Sequence, residues 1–113
     1  MKSDTYLRRW FLKFNERYFN GELPNNVALW WEPCSDAAAV TIEISPAEDG
    51  NPAELGIKID PAIHMFGRMT KLLLLHEMVH IKLWGRSTLK DHGLAFDREI
   101  QRLLTFKAVR KLI

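Results

Sequence analysis

The residues of this chain best suited to chemistry are two histidines and a glutamate within five consecutive positions. His76, Glu77 and His80 form the pattern His-Glu-X-X-His, and four leucines lead directly into it. Residues four apart lie about one turn apart on the same face of a helix, so both imidazoles can reach a single ion. Zinc accepts imidazole nitrogens, and the adjacent glutamate can take a proton from a water on the metal. The motif therefore predicts a metal-dependent hydrolytic site.

A catalytic zinc usually has three protein ligands, so two histidines make an incomplete site. The downstream candidates for the third ligand are His92, Asp97 and Glu99. His92 lies twelve positions after His80, which is enough chain for the backbone to reverse, and Glu99 lies nineteen positions after it. Spacing alone does not decide whether His92 or Glu99 is the third ligand. It excludes the metzincin pattern, which needs Gly where this chain has Leu83 and His where it has Arg86.

Hydrophobic periodicity predicts the elements that must position these residues. Apolar residues at helical spacing predict three helices, over Asp4–Asn20, Phe66–Trp84 and Gly93–Val109. Short β-type runs predict three strands, over Val27–Trp31, Ala38–Ile44 and Leu55–Ile59. The composition between these elements predicts a turn over Ser45–Pro52 and a loop over Arg86–Asp91.

The order helix, strands, helix, loop, helix predicts an α+β fold. We expect a small three-stranded sheet packed on the helix that carries the motif, with further helices at both ends of the chain. The strand Ala38–Ile44 is a candidate edge strand at which a peptide can pair. It alternates aliphatic with polar side chains, and we expect its buried face to be formed by Val40, Ile42 and Ile44.

Length and composition limit the class of protein. A chain of 113 residues predicts a single domain over residues 1–113. No apolar run approaches the length of a membrane span, and the N-terminal stretch lacks the apolar region of a signal peptide. Cys34 is the only cysteine, which excludes an internal disulfide and a cysteine-based zinc ribbon. We therefore expect a cytoplasmic protein with no membrane association.

Charge is unevenly distributed along the sequence. Residues 1–20 carry five basic and two acidic side chains, whereas residues 21–60 carry eight acidic side chains and Lys58 as their one cation. Residues 98–113 are basic again, with five cations and Glu99. One interpretation is that different solvent-exposed faces of the protein carry net charges of opposite sign, without a functional role. The other is that the two basic termini form a surface that associates weakly with DNA.

Three segments together resemble the SprT-like metalloprotease domain, over the region from about Tyr6 to Leu104. They are NERYFNGELPNNVALWW (residues 15–31), HEMVH (residues 76–80) and HGLAF (residues 92–96). The resemblance implies a zincin-like fold and one zinc ion bound by His76, His80 and His92, with Glu77 as the catalytic acid/base. It favours His92 over Glu99 as the third ligand.

The resemblance also implies two structural roles in the HGLAF segment. Gly93 would allow a close backbone approach, and Phe96 would pack in the interior. The function that follows is a zinc-dependent endopeptidase acting on protein or peptide substrates, with DNA-associated proteins among them. Two alternatives stay open. One is a zincin of another clan, with Glu99 as the third ligand, and the other is a non-catalytic nucleic-acid-associated module whose zinc is structural.

Overall fold

The computed structural model describes residues 3–84 and 93–113. The helices in these ranges are α1 (Thr5–Tyr18), α2 (Gly67–Lys82), α3 (Leu94–Leu103) and α4 (Lys107–Arg110). The strands are β1 (Ala28–Trp31), β2 (Ala39–Ser45) and β3 (Glu54–Ile59), and a short 3-10 turn, Pro61–Ile63, precedes α2. The predicted α+β class is confirmed. None of the helices in the described ranges is long and apolar enough to cross a membrane.

Helix α1 lies within the predicted segment Asp4–Asn20 and ends two residues earlier. The Asp4 carboxylate accepts a hydrogen bond of 2.9 Å from the backbone N–H of Leu7, which caps the first turn. The chain leaves the helix through Gly21, whose φ of 70° lies in the left-handed region that glycine adopts readily. The buried Asn15 side chain then exchanges two hydrogen bonds with the backbone of Leu23, at 3.0 and 3.1 Å. These bonds fix the segment that leads into β1.

The sheet has the strand order β1-β3-β2. β1 pairs with β3 in parallel, and β2 pairs with β3 in antiparallel orientation. β3 is therefore the central strand and β2 lies at an edge, as the sequence indicated for that segment. Helix α2 packs across one face of this sheet, and α1 and α3 contact α2 in turn.

The prediction of which β2 residues are buried was wrong. Thr41 pairs with Ile57 of the central strand, whose side chain is fully buried. Paired residues of adjacent strands point to the same face, so Thr41 faces α2. Ile42 pairs with Gly56 on the opposite face, and Ile44 is 40% exposed. The register with β3 decides the face, and β2's own alternation does not contain that register.

The opposite face of the sheet holds a small apolar cluster of its own. The Trp30 ring lies so close to Gly56 that a Cβ there would be 2.7 Å from a ring carbon and 2.9 Å from the Ile44 side chain. The indole N–H of Trp30 also lies 3.3 Å from the Glu32 carboxylate. Ile44 thus lies beside Gly56 and Trp30 on the face away from α2, whereas Thr41 lies on the face towards α2.

The last predicted helix, Gly93–Val109, is not continuous. It is interrupted between α3 and α4, where Phe106 adopts an extended conformation with φ −85° and ψ 123°. The Phe106 ring packs edge-on against Tyr18 with ring centroids 4.9 Å apart, and the Arg110 guanidinium donates a 2.7 Å hydrogen bond to the Leu104 carbonyl. The interruption falls within residues 94–109, which contain no glycine or proline, and it coincides with the packing of Phe106 against α1.

Candidate metal centre

The second half of α2 brings the three motif residues together. The imidazoles of His76 and His80 lie one turn apart, with ring centroids separated by 5.1 Å. Ligand-capable atoms of His76, Glu77 and His80 all lie within 4.8 Å of one another. Both histidines are half-buried and the glutamate is buried. This group could hold a metal ion, as the spacing of the sequence predicted.

Glu77 is 5% exposed and is oriented by the edge strand. The Thr41 hydroxyl lies 2.9 Å from Oε1 of Glu77 and 3.3 Å from its backbone carbonyl oxygen, so it donates to the helix at this position. The other carboxylate oxygen, Oε2, lies 3.9 Å from Nε2 of His76. A hydrogen bond from a fixed strand restricts the rotamers of a buried carboxylate, so Thr41 positions Glu77 beside the imidazoles.

Thr41 is a site residue that sequence reasoning missed. We expected it on the solvated face because it alternates with aliphatic neighbours. Its pairing with Ile57 places it against α2 instead. No local pattern marks Thr41, because its face depends on its pairing with the buried Ile57 of the central strand.

Phe96 of α3 packs directly on the histidine pair. It is 6% exposed, and its ring centroid lies 5.0 Å from that of His76 and 4.7 Å from that of His80. The expected packing role of Phe96 is confirmed. No described residue lies within 4 Å of a Cβ built on Gly93, so the close backbone approach expected there is not found among them.

The third histidine falls where the structure gives no description. His92 and the predicted loop Arg86–Asp91 belong to residues 85–92, outside the described residues. Gly93 and Phe96 follow directly in the chain. Phe96 contacts both imidazoles, so α3 lies beside the motif in its first turn.

Glu99, the other candidate ligand, is engaged by two cations. It is 7% exposed. Its Oε2 lies 2.9 Å from Nζ of Lys82 and 2.7 Å from Nη2 of Arg102, and its Oε1 accepts a 2.8 Å hydrogen bond from Nε of Arg102. Burial raises the pKa of Glu99, but the hydrogen bonds from Arg102 and Lys82 outweigh it, and the net shift is downward. Glu99 is thus held ionised as an ion-pair partner.

The same ion pairs connect three helices around the metal group. Lys82 lies at the end of α2, two residues after His80, and Glu99 lies in α3, three residues after Phe96. Arg102 extends the connection by donating a 2.6 Å hydrogen bond to the carbonyl of Tyr18, at the end of α1. Glu99 therefore fixes how α3 sits against α2.

The remaining sequence candidates lie apart from this group. Asp97 is exposed on α3 and is not among the described residues that could share an ion with the motif. His64 is exposed just after the 3-10 turn, where its ring packs edge-on against Trp31 at 5.0 Å.

Comparison with known proteins adds no relative to these observations. No protein-family model matches the chain, and no curated protein matches it. The function of the chain must therefore be inferred from the geometry of its own residues, and the SprT-like resemblance stays a prediction from the three sequence segments.

Proposed function

We propose that the protein is a zinc-dependent endopeptidase with a zincin-like, SprT-like active site. The observation that carries the proposal is the group of His76, Glu77 and His80, with ligand-capable atoms within 4.8 Å of one another. Two imidazoles and a carboxylate are donors that zinc accepts, so the residues present fit this ion. His76 and His80 would hold it, with His92 as the third ligand.

Zinc at this position would supply a Lewis acid that acidifies a water and polarises the scissile carbonyl. The chain itself would supply the proton transfers. Glu77 accepts the proton of the attacking water and delivers it to the leaving amine. The Thr41 hydroxyl keeps that carboxylate in place from one side, and the Phe96 ring supports the imidazoles from another.

The edge strand offers a way to bind an extended substrate. Within the described residues β2 pairs with β3 alone, so its other edge is available to a further strand. A peptide that pairs there would run past Thr41 and therefore past Glu77. This arrangement supports cleavage inside a chain, because backbone pairing needs no free terminus.

The proposal is tested by incubating the zinc-loaded protein with a reduced and alkylated, hence unfolded, protein substrate. The matched control is Glu77→Gln, which preserves shape and leaves an oxygen to accept from Thr41. We expect the variant to keep its zinc and to lose at least about 100-fold in cleavage rate, the usual contribution of a general base. Equal cleavage by the variant, or none by fully loaded wild-type protein, would contradict the proposal.

A second candidate, nucleic-acid association, is favoured by the surface of α1. Arg9, Lys13 and Arg17 are exposed and spaced by one turn along one side of this helix. Lys13 and Lys71 of α2 also lie over the Trp10 ring, 4.8 and 4.0 Å from its centroid. Such a surface predicts single-stranded DNA binding that weakens steeply with salt. Fluorescence anisotropy at two salt concentrations, with Lys13→Glu as the variant, tests it independently of catalysis.

A further inference from the structure

An apolar pocket lies next to the metal group, between α2, α3 and α4. Its volume is about 270 Å³. Helix α2 contributes Leu72, Leu73 and His76 to its wall, and the later helices contribute Ile100, Leu104 and Val109. Every lining side chain other than His76 is aliphatic. Such a pocket offers no partner to a charged group, so its occupant must be apolar.

His76 belongs both to the pocket wall and to the metal-capable group. A molecule in the pocket therefore lies beside one of the residues that would hold the ion. Glu77 follows His76 directly, and successive residues of a helix point about 100° apart. Glu77 contacts the edge strand through Thr41, so the strand and the pocket flank the metal group on different sides.

We propose that this pocket is a specificity site that takes one aliphatic or aromatic side chain of a peptide substrate, next to the scissile bond. The position next to the scissile bond rests on the proposed function, whereas the binding of an apolar side chain does not. Pockets for drug-sized ligands span about 300–1,000 Å³, so a cavity just below that range suits a single side chain. A peptide paired with β2 would reach the pocket after passing the metal group.

The binding half of the proposal is tested by methyl NMR on the metal-free protein. The probes are two blocked tripeptides, acetyl-Gly-Leu-Gly-amide and acetyl-Gly-Asp-Gly-amide. We expect the leucine peptide to shift the methyl resonances of Leu72, Ile100 and Val109, and the aspartate peptide at equal concentration to leave them in place. Equal shifts with both probes, or none with either, would overturn the proposal without any variant being made.

A pair of tryptophan variants then locates the binding. Ile100→Trp fills the pocket, and Leu12→Trp adds the same ring on α1, where Leu12 is 43% exposed. We expect the leucine-dependent shifts at Leu72 and Val109 to fall at least fivefold in the first variant and to stay unchanged in the second. Unchanged shifts in a folded Ile100→Trp protein would place the binding elsewhere and overturn the proposal.

Mapping of cleavage sites tests the catalytic half separately. If the zinc-loaded enzyme digests an unfolded protein, we expect leucine, isoleucine, methionine and phenylalanine to be enriched at one fixed position beside the cleaved bonds. In Ile100→Trp, alanine and glycine should replace them there. Cleavage without enrichment would overturn the specificity site and leave the proposed function standing. Leucine-specific methyl shifts without any cleavage would overturn the endopeptidase and leave an apolar side-chain site.

Discussion

Two buried glutamates on adjacent helices have different surroundings. Glu77 on α2 is 5% exposed and Glu99 on α3 is 7% exposed. Glu77 accepts from the neutral hydroxyl of Thr41 and lies 3.9 Å from an imidazole nitrogen. Glu99 is bound by the permanent cations of Lys82 and Arg102. The same residue type at the same burial is thus placed beside ligand-type groups in one region and beside fixed charges in the other.

The difference separates a chemical role from a structural one. A carboxylate surrounded by fixed cations stays ionised and is a poor proton acceptor, because its charge is already compensated. In the proposed function the proton transfers therefore belong to Glu77, which lies beside the imidazoles, whereas the ion pairs of Glu99 fix α3 against α2.

The largest expected effect concerns metal affinity. His76→Ala and His80→Ala should each weaken zinc binding by more than about 100-fold, because losing a hydrogen-bond partner of a ligand alone costs about 10–100-fold. Glu99→Ala should leave the affinity unchanged, since Lys82 and Arg102 already bind that carboxylate. Competition with a chromogenic chelator measures all three.

The same titration decides the third ligand. His92→Ala should lower zinc affinity to a similar extent as the other two histidine variants. An intact affinity in His92→Ala together with a large loss in Glu99→Ala would reverse the assignment, and with it the contrast between the two glutamates.

The next largest effect is on stability. Glu99→Gln should lower the free energy of unfolding by about 2 kcal/mol, because it leaves Lys82 and Arg102 without their carboxylate while both stay partly exposed. Glu77→Gln should change it by less than about 1 kcal/mol, since the amide oxygen still accepts from Thr41. Urea unfolding of the metal-free proteins checks both values. Equal losses would show that Glu77 also has a structural role.

One side of this contrast, the position of Glu77 beside two histidines, could be anticipated from the sequence. Local signals in the sequence were enough for the helix that carries His76 and His80 and for the position of α1, and the SprT-like resemblance implied the packing of Phe96. The role of Glu99 could not be predicted, because its cations lie 17 residues earlier in the chain and three residues later. Thr41 could not be identified either, since its face depends on a register with β3. The Lys82 bond depends on how α3 packs on α2, and the position of Thr41 depends on how β2 pairs with β3.

A smaller effect is expected from Thr41, on catalysis and not on metal binding. Thr41→Val keeps the shape but removes the donor to Glu77, and kcat should fall about tenfold, equivalent to about 1.4 kcal/mol. KM and zinc content should stay near wild-type values. Thr41→Ser restores a hydroxyl and should recover most of kcat. A serine variant as impaired as the valine one would mean that Thr41 acts by packing alone.

The smallest effect is the acid sensitivity that Glu99 adds to the fold. Its pKa in the folded protein is lowered, so its contribution to stability is fully present above the ordinary glutamate pKa of about 4.3 and is lost as the pH falls through the folded value. The stability difference between wild type and Glu99→Gln should therefore be largest near neutral pH and shrink below about pH 4. Urea titrations of both metal-free proteins from pH 3 to 7 measure this difference. A chelator in the buffer keeps metal out, so protonation of metal ligands cannot cause the change in stability. A difference that does not change with pH would mean that the cost of the variant lies in its shape, and that the cations around Glu99 do not set its charge.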